Sequence, residues 1–80
     1  LSETLGIAGS GTIACGLAVV AGNTGHDVKL RARSDESAAK AQKSIEKQCG
    51  RLDDPEAALG RIQVVTDIAE LGACSFVVEA

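Results

Sequence analysis

The stretch Gly9-Ser10-Gly11-Thr12-Ile13-Ala14 has the residue types and spacing that most directly imply chemistry. It follows an apolar run and opens a helical pattern, the context in which a GxGxx(G/A) turn holds a diphosphate. Gly9 permits the tight turn, and Gly11 keeps side-chain atoms away from where the backbone meets the phosphates. Ala14 is small enough for the helix to pack close to the strand. The free N–H groups of a helix start, with the positive end of its dipole, attract such an anion. Ser10, Thr12 and Ile13 complete the loop and first turn, so all six residues are expected to bind cofactor. Taken without context, the same residues also read as a plain strand-to-helix turn.

A dinucleotide turn of this kind has a partner about twenty residues on, an Asp or Glu that bonds the ribose 2′-OH of NAD. Here that position falls on Ala32, in Leu30-Arg31-Ala32-Arg33-Ser34. An acid would repel a 2′-phosphate, whereas an arginine can grip one with two parallel hydrogen bonds. The missing carboxylate between two arginines therefore favours NADP over NAD. Strand alternation turns Arg31 to a different side from Arg33, so Arg33 and Ser34 are the leading candidates beside Ala32. If both arginines are ordinary surface charges, NAD binds with weaker ribose contacts.

Other reactive residue types carry less. Cys15, Cys49 and Cys74 are widely spaced, odd in number and not in CxxC form, which excludes a zinc ribbon or a disulfide framework. Each reads as a small hydrophobe in a reducing, cytoplasmic compartment. His26 follows Gly25 at a helix–strand corner and reads as a cap or surface residue. Lys40, Lys43, Lys47 and Arg51 recur at helical spacing, a solvated face supported by Glu36–Lys40. Contact with an anionic substrate such as a coenzyme A phosphate is the sharper alternative for that stripe.

The elements that must position these groups follow from periodicity. Thr4 to Ala8 is a short apolar run, a buried parallel strand. Thr12 to Asn23 is helical, with Ile13, Ala14, Leu17, Ala18 and Ala21 expected on its buried face. Gly25 suits a left-handed helix cap. Asp27 to Ala32 alternates as a second strand. Ser34 caps a helix with acids in its first turn and Ala38, Ala41, Ile45, Cys49 and Leu52 on one side. Asp54-Pro55-Glu56 starts a shorter helix. Arg61 to Thr66 reads as a third strand, Asp67 to Leu71 as a helical turn and Cys74 to Val78 as a fourth strand. This α/β order implies a Rossmann-type doubly wound parallel sheet, truncated after the fourth strand.

Bulk composition narrows the classes. The 80 residues suffice for one small domain, and the chain starts at Leu1 with no Met, which reads as a fragment. Phe76 is the single aromatic residue, so the core must come from Ala, Val, Ile and Leu. A formal charge of −3 argues against nonspecific nucleic-acid binding. No apolar run reaches the roughly 18–20 residues that span a bilayer. The run Ile13 to Ala21 has no basic flank and is not a signal peptide.

Leu5 to Ala18, including the glycine turn, resembles the opening of the 3-hydroxyacyl-CoA dehydrogenase family. So do Gly25-His26-Asp27-Val28, Ser44-Ile45-Glu46-Lys47, Thr66-Asp67-Ile68 and Val77-Val78-Glu79-Ala80. The similarity covers essentially the whole chain, in order. It implies that residues 1–80 are the N-terminal part of a dinucleotide-binding domain. The implied reaction is hydride transfer between NAD(P) and C3 of a 3-hydroxyacyl-CoA. Ala80, at the end of the fourth strand, joins the expected cofactor-binding residues. In that family a His–Glu pair does the acid–base work, beyond the fourth strand, so no catalytic residue carries over. A helical C-terminal domain that makes a homodimer is likewise implied outside this chain.

Three features depart from the family pattern. Ala14 replaces the third glycine, and Ala32 replaces the acid after the second strand. The helical hairpin that meets coenzyme A is shortened around residues 50–58; its serine position falls on Gln48 and its lysine position near Pro55. Two other functions fit the same residues: an NADP-dependent dehydrogenase of a small free hydroxy acid, and a non-enzymatic dinucleotide-binding module.

Overall fold

A computed structural model describes residues 3–80. Four strands, β1 (Thr4–Ala8), β2 (Asp27–Arg31), β3 (Ile62–Val65) and β4 (Phe76–Glu79), form one sheet. Their order is β3-β2-β1-β4 and every pair is parallel. Parallel neighbours need crossovers, and the chain supplies α1 (Thr12–Asn23), α2 (Asp35–Cys49) and α3 (Pro55–Arg61). A 3₁₀ helix, Ile68–Ala73, leads into β4.

Alternation along the strands sorts the two faces. Ile7, Val28, Leu30 and Ile62 turn into a core with Ala14, Cys15, Ala18 and Val19 of α1 and Ala41, Ile45 and Cys49 of α2. Side chains such as Leu30 and Ile45, fully buried here, each contribute on the order of 1.5–3 kcal/mol through burial. Over β1 and β2 the opposite face is covered by the 3₁₀ helix. A Cβ on Gly6 would lie 3.0 Å from Cys74 Sγ and 3.2 Å from a Leu71 methyl, so the missing side chain admits that helix. Lys29 then fastens it from β2 with a 2.9 Å ion pair to Glu70.

The helix ends follow local chemistry. Ser34 accepts a hydrogen bond from the Ser37 N–H and Asp54 accepts one from Ala57 N–H, with Pro55 in the first turn of α3. Gly25 adopts φ +100° after α1, its N–H bonding Gly22 O while His26 N–H bonds Ala21 O. The strand limits differ slightly from expectation. Arg61 closes α3 instead of starting β3, and Cys74 caps the 3₁₀ helix before β4 begins.

One expected face holds at Ala14 and Ala18, holds in part at Leu17 and Ala21, which pack half-buried against the core, and fails at Ile13. Ile13 was expected in the core of α1 and is 81% exposed, whereas Cys15, Val19 and Gly22 are buried beside Ala14 and Ala18. The buried stripe is turned by one residue, about 100° of helix. Val20 and Ile13 share the outward side, and an apolar groove runs between Leu17, Val20, Leu5 and Phe76. The helix is apolar all round, so its pattern carries no phase.

Candidate functional site

The glycine turn stands at the C-terminal ends of β1 and β2, where open α/β sheets bind ligands. A cleft of about 610 Å³ opens there. Its floor is Ala8, Gly9, Ser10 and Gly11, leaving β1. One wall comes from the end of β2 and the start of α2, with Arg31, Arg33 and Ser37; the other is Glu79 and Ala80, ending β4.

The turn is held from below and from the side. Gly9 N–H donates to Arg31 O at 3.2 Å, joining the loop to the end of β2. Ala80 N–H donates to Ala8 O at 3.2 Å, bringing the end of β4 alongside. A Cβ on Gly9, whose φ is +154°, would run into the Ala80 carbonyl oxygen. Beneath the loop, the buried Cys15 thiol reaches Ser10 O at 3.5 Å. Burial pushes that thiol above its ordinary pKa, opposed by a weaker hydrogen bond with Ser44.

Gly11 shows the opposite situation. It is the N-cap of α1, and a side chain there would meet no protein atom within 4 Å. No internal contact requires a glycine, and the space a side chain would fill is the cleft itself. No side chain caps α1, and its first turn contains no acid. By contrast α2, α3 and the 3₁₀ helix each have a side-chain cap and an acid in the first turn. The N–H groups at the start of α1 are thus left for an external acceptor, and a dinucleotide diphosphate fits that need.

Of the expected cofactor-binding residues, Gly9, Ser10, Gly11, Arg33 and Ala80 line the cleft. Thr12 and Ile13 are exposed in the first turn of α1, and Ala14 is buried behind it. Ala32 is fully buried off the cleft wall, its N–H continuing the sheet to Val65 O at 2.8 Å. Ser34 also lies off the wall, engaged as the α2 cap. The expectation that Arg31 and Arg33 face different sides is corrected: both line the cleft. They stand two positions apart on an extended chain, and a period of two returns both to the same side.

Sequence reasoning set Arg31 behind Arg33 and passed over Ser37 and Glu79 as cleft residues. Ser37 carried a usable signal, because the third residue after an N-cap meets the capping group. The Cys15 support beneath the loop had none, since it depends on how deeply α1 packs.

Residues 4–80 match the family model described as 3-hydroxyacyl-CoA dehydrogenase, NAD binding domain. The chain belongs to this family. It is 37% identical over 82 residues to a probable 3-hydroxybutyryl-CoA dehydrogenase of Deinococcus radiodurans, covering 94% of this chain and 30% of that protein. The crystal structure of 3-hydroxybutyryl-CoA dehydrogenase from Escherichia coli K12 superimposes with a TM-score of 0.87 at 34% identity, over 99% of this chain and 18% of that one. The (S)-3-hydroxybutyryl-CoA dehydrogenase of Ralstonia eutropha gives 0.90 at 30% identity, over 100% of this chain and 31% of that one. The chain therefore spans less than a third of the length of these relatives. Within the family's NAD-binding domain, the glycine turn and the cleft above it are the candidate cofactor site. No helix among the described residues is long and apolar enough to cross a membrane.

Proposed function

We propose that this chain is the cofactor-binding portion of an oxidoreductase that transfers a hydride between NADP and C3 of a 3-hydroxyacyl-CoA. The uncapped start of α1, open to the cleft at Gly11, is the observation that carries this reading. The similarity to 3-hydroxybutyryl-CoA dehydrogenases supplies the substrate class.

When bound, the nicotinamide group supplies the hydride acceptor or donor. This chain's own residues bind and orient. Gly9 makes the turn, the N–H groups from Ser10 to Ala14 and the helix dipole hold the diphosphate, and Ala80 closes the cleft at the β4 side. The ribose end lies towards Arg33 on the β2–α2 wall, beside Ala32 and Ser34, where the expected acid is replaced by alanine, and this supports NADP as the preferred cofactor. Acid–base catalysis and the helical dimer-forming domain belong to parts of the protein outside residues 1–80. The free Cys15, Cys49 and Cys74 suit a reducing compartment, and we place the protein in the cytoplasm.

The test is reduction of acetoacetyl-CoA by the full-length protein carrying this chain, followed by loss of nicotinamide absorbance. The expected result is turnover with a higher kcat/KM for NADPH than for NADH. Turnover of a small free hydroxy acid with no acyl-CoA activity would move the protein to a different substrate class. Cofactor binding with no redox turnover on either would make it a binding module.

A further inference from the structure

We propose that Arg31, Arg33 and Ser37 form a subsite for a ribose phosphate monoester, the 2′-phosphate of NADP, with Arg31 as its fixed ligand. This rests on the reading of the cleft as a dinucleotide site and assigns the groups that discriminate within it.

Arg31 ends β2 and its side chain is tethered: the Nε–H donates to Thr66 O at 3.1 Å. That bond holds the guanidinium plane and leaves both Nη groups without a partner among the described residues. A held guanidinium can present two parallel donors to a phosphate with less ordering cost than a loose one. Arg33 faces the same cleft and makes no ion pair among the described residues.

Ser37 contributes through a defined proton order. Ser34 Oγ accepts the Ser37 N–H at 3.1 Å and donates its own proton to Ser37 Oγ at 3.1 Å. Having received that hydrogen bond, the Ser37 hydroxyl has its own proton to give, and it lines the cleft. Ser34 is therefore a positioning residue, acting through Ser37.

The electrostatics are local. The chain as a whole is formally −3, so nothing global draws a polyanion here. Asp35 and Glu36 occupy the first turn of α2 and face solvent off the cleft wall, which leaves recognition to the arginines instead of that helix dipole. Glu79 is on the wall, but it ends β4, two strands from β2 in the sheet order. The cleft thus offers a dianion two cations on the β2–α2 wall, with Glu79 the carboxylate on the β4 wall.

A coenzyme A 3′-phosphate shares this chemistry, so the test separates the sources. Calorimetric titration of the full-length protein would compare ADP, adenosine 2′,5′-bisphosphate and adenosine 3′,5′-bisphosphate, in wild type and in Arg31→Leu, Arg33→Leu and Ser37→Ala. The 2′,5′-bisphosphate is expected to bind tightest. Each arginine variant should weaken it roughly 10- to 100-fold, the scale of a charge-assisted hydrogen bond. Ser37→Ala should weaken it about 5-fold, the scale of a neutral one. ADP affinity should stay within about 2-fold throughout, which also reports that each variant is folded; if Arg31→Leu loses ADP as well, Arg31→Lys, Arg33→Leu and Ser37→Ala decide. Equal weakening of ADP and the 2′,5′-bisphosphate in these variants overturns the subsite and leaves the dinucleotide reading standing. Preference for the 3′,5′-bisphosphate overturns it in favour of a coenzyme A site. A wild type that binds none of the three removes the dinucleotide reading and the subsite together.

Discussion

The starts of α1 and α2 face the same cleft and are built in opposite ways. The second is closed by its own residues: Ser34 caps it, and Asp35 and Glu36 answer the positive end of the dipole. At the first, the N-cap is Gly11, no side chain accepts from the backbone, and no acid lies in the first turn. Both ends have the same unpaired N–H groups, so the difference lies in who satisfies them. Where the protein caps itself the helix end is structural. Where it leaves the donors open beside a glycine with empty space above it, the end is reserved for a ligand.

The most severe way to break this contrast is to remove the geometry that presents the α1 terminus. Gly9→Val would drive a branched side chain into the Ala80 carbonyl from a backbone at φ +154°. A loss of about 3 kcal/mol or more is expected, measured by urea denaturation, together with loss of dinucleotide binding. A Gly9→Val protein of native stability would show that β4 does not press on the turn.

Gly11→Asp would instead give α1 the kind of ending that α2 has. Stability and binding should then move in opposite directions. A cap and an acid at the N-terminus should stabilise the cofactor-free protein by about 0.5 kcal/mol. Dinucleotide affinity should fall by roughly 100-fold or more, because a carboxylate about 4 Å from a phosphate repels by several kcal/mol at an effective dielectric of 20. Paired thermal denaturation and fluorescence titration check both signs, and unchanged affinity would refute the reserved terminus.

The converse change, Ser34→Ala, removes the α2 cap and should cost about 1 kcal/mol in denaturation. A smaller effect concerns pH. Burial pushes the Cys15 and Cys49 thiols above their ordinary value of 9.0. A raised thiol pKa leaves stability intact below about pH 9 and removes it as pH rises towards the folded-state value. Cys15 lies near the start of α1 and has Ser44 favouring its thiolate, whereas Cys49 ends α2 with burial alone acting on it. Cys15→Ala and Cys49→Ala should each recover part of the alkaline loss, compared by denaturation at pH 8 and pH 10.

Much of this contrast was legible in the residues. Capping groups, glycine stops and strand alternation are local signals, so the order of elements and the Ser34 and Asp54 caps could be read directly. The phase of α1 could not. With apolar residues on every side, Ile13 and Cys15 are equally good core candidates until the neighbours are in place. The cleft wall was half legible for a related reason. Arg33 stood out beside Ala32, which replaces an expected acid, but grouping Arg31 with it required knowing that the chain stays extended through Ala32. Thr66, which tethers Arg31, follows the next strand, and no local pattern links the two.

The meeting of Gly9 with Ala80 also bears on the order of assembly. The β1-α1-β2 unit closes through contacts near in sequence, whereas β1 and β4 join almost opposite ends of the described chain. Contacts of such separation carry the larger loop-closure cost and tend to form late. The glycine turn can then bend early, but its β4 wall arrives only with the last strand. Cofactor affinity would consequently report completion of folding, appearing after most helical signal has returned in a refolding experiment.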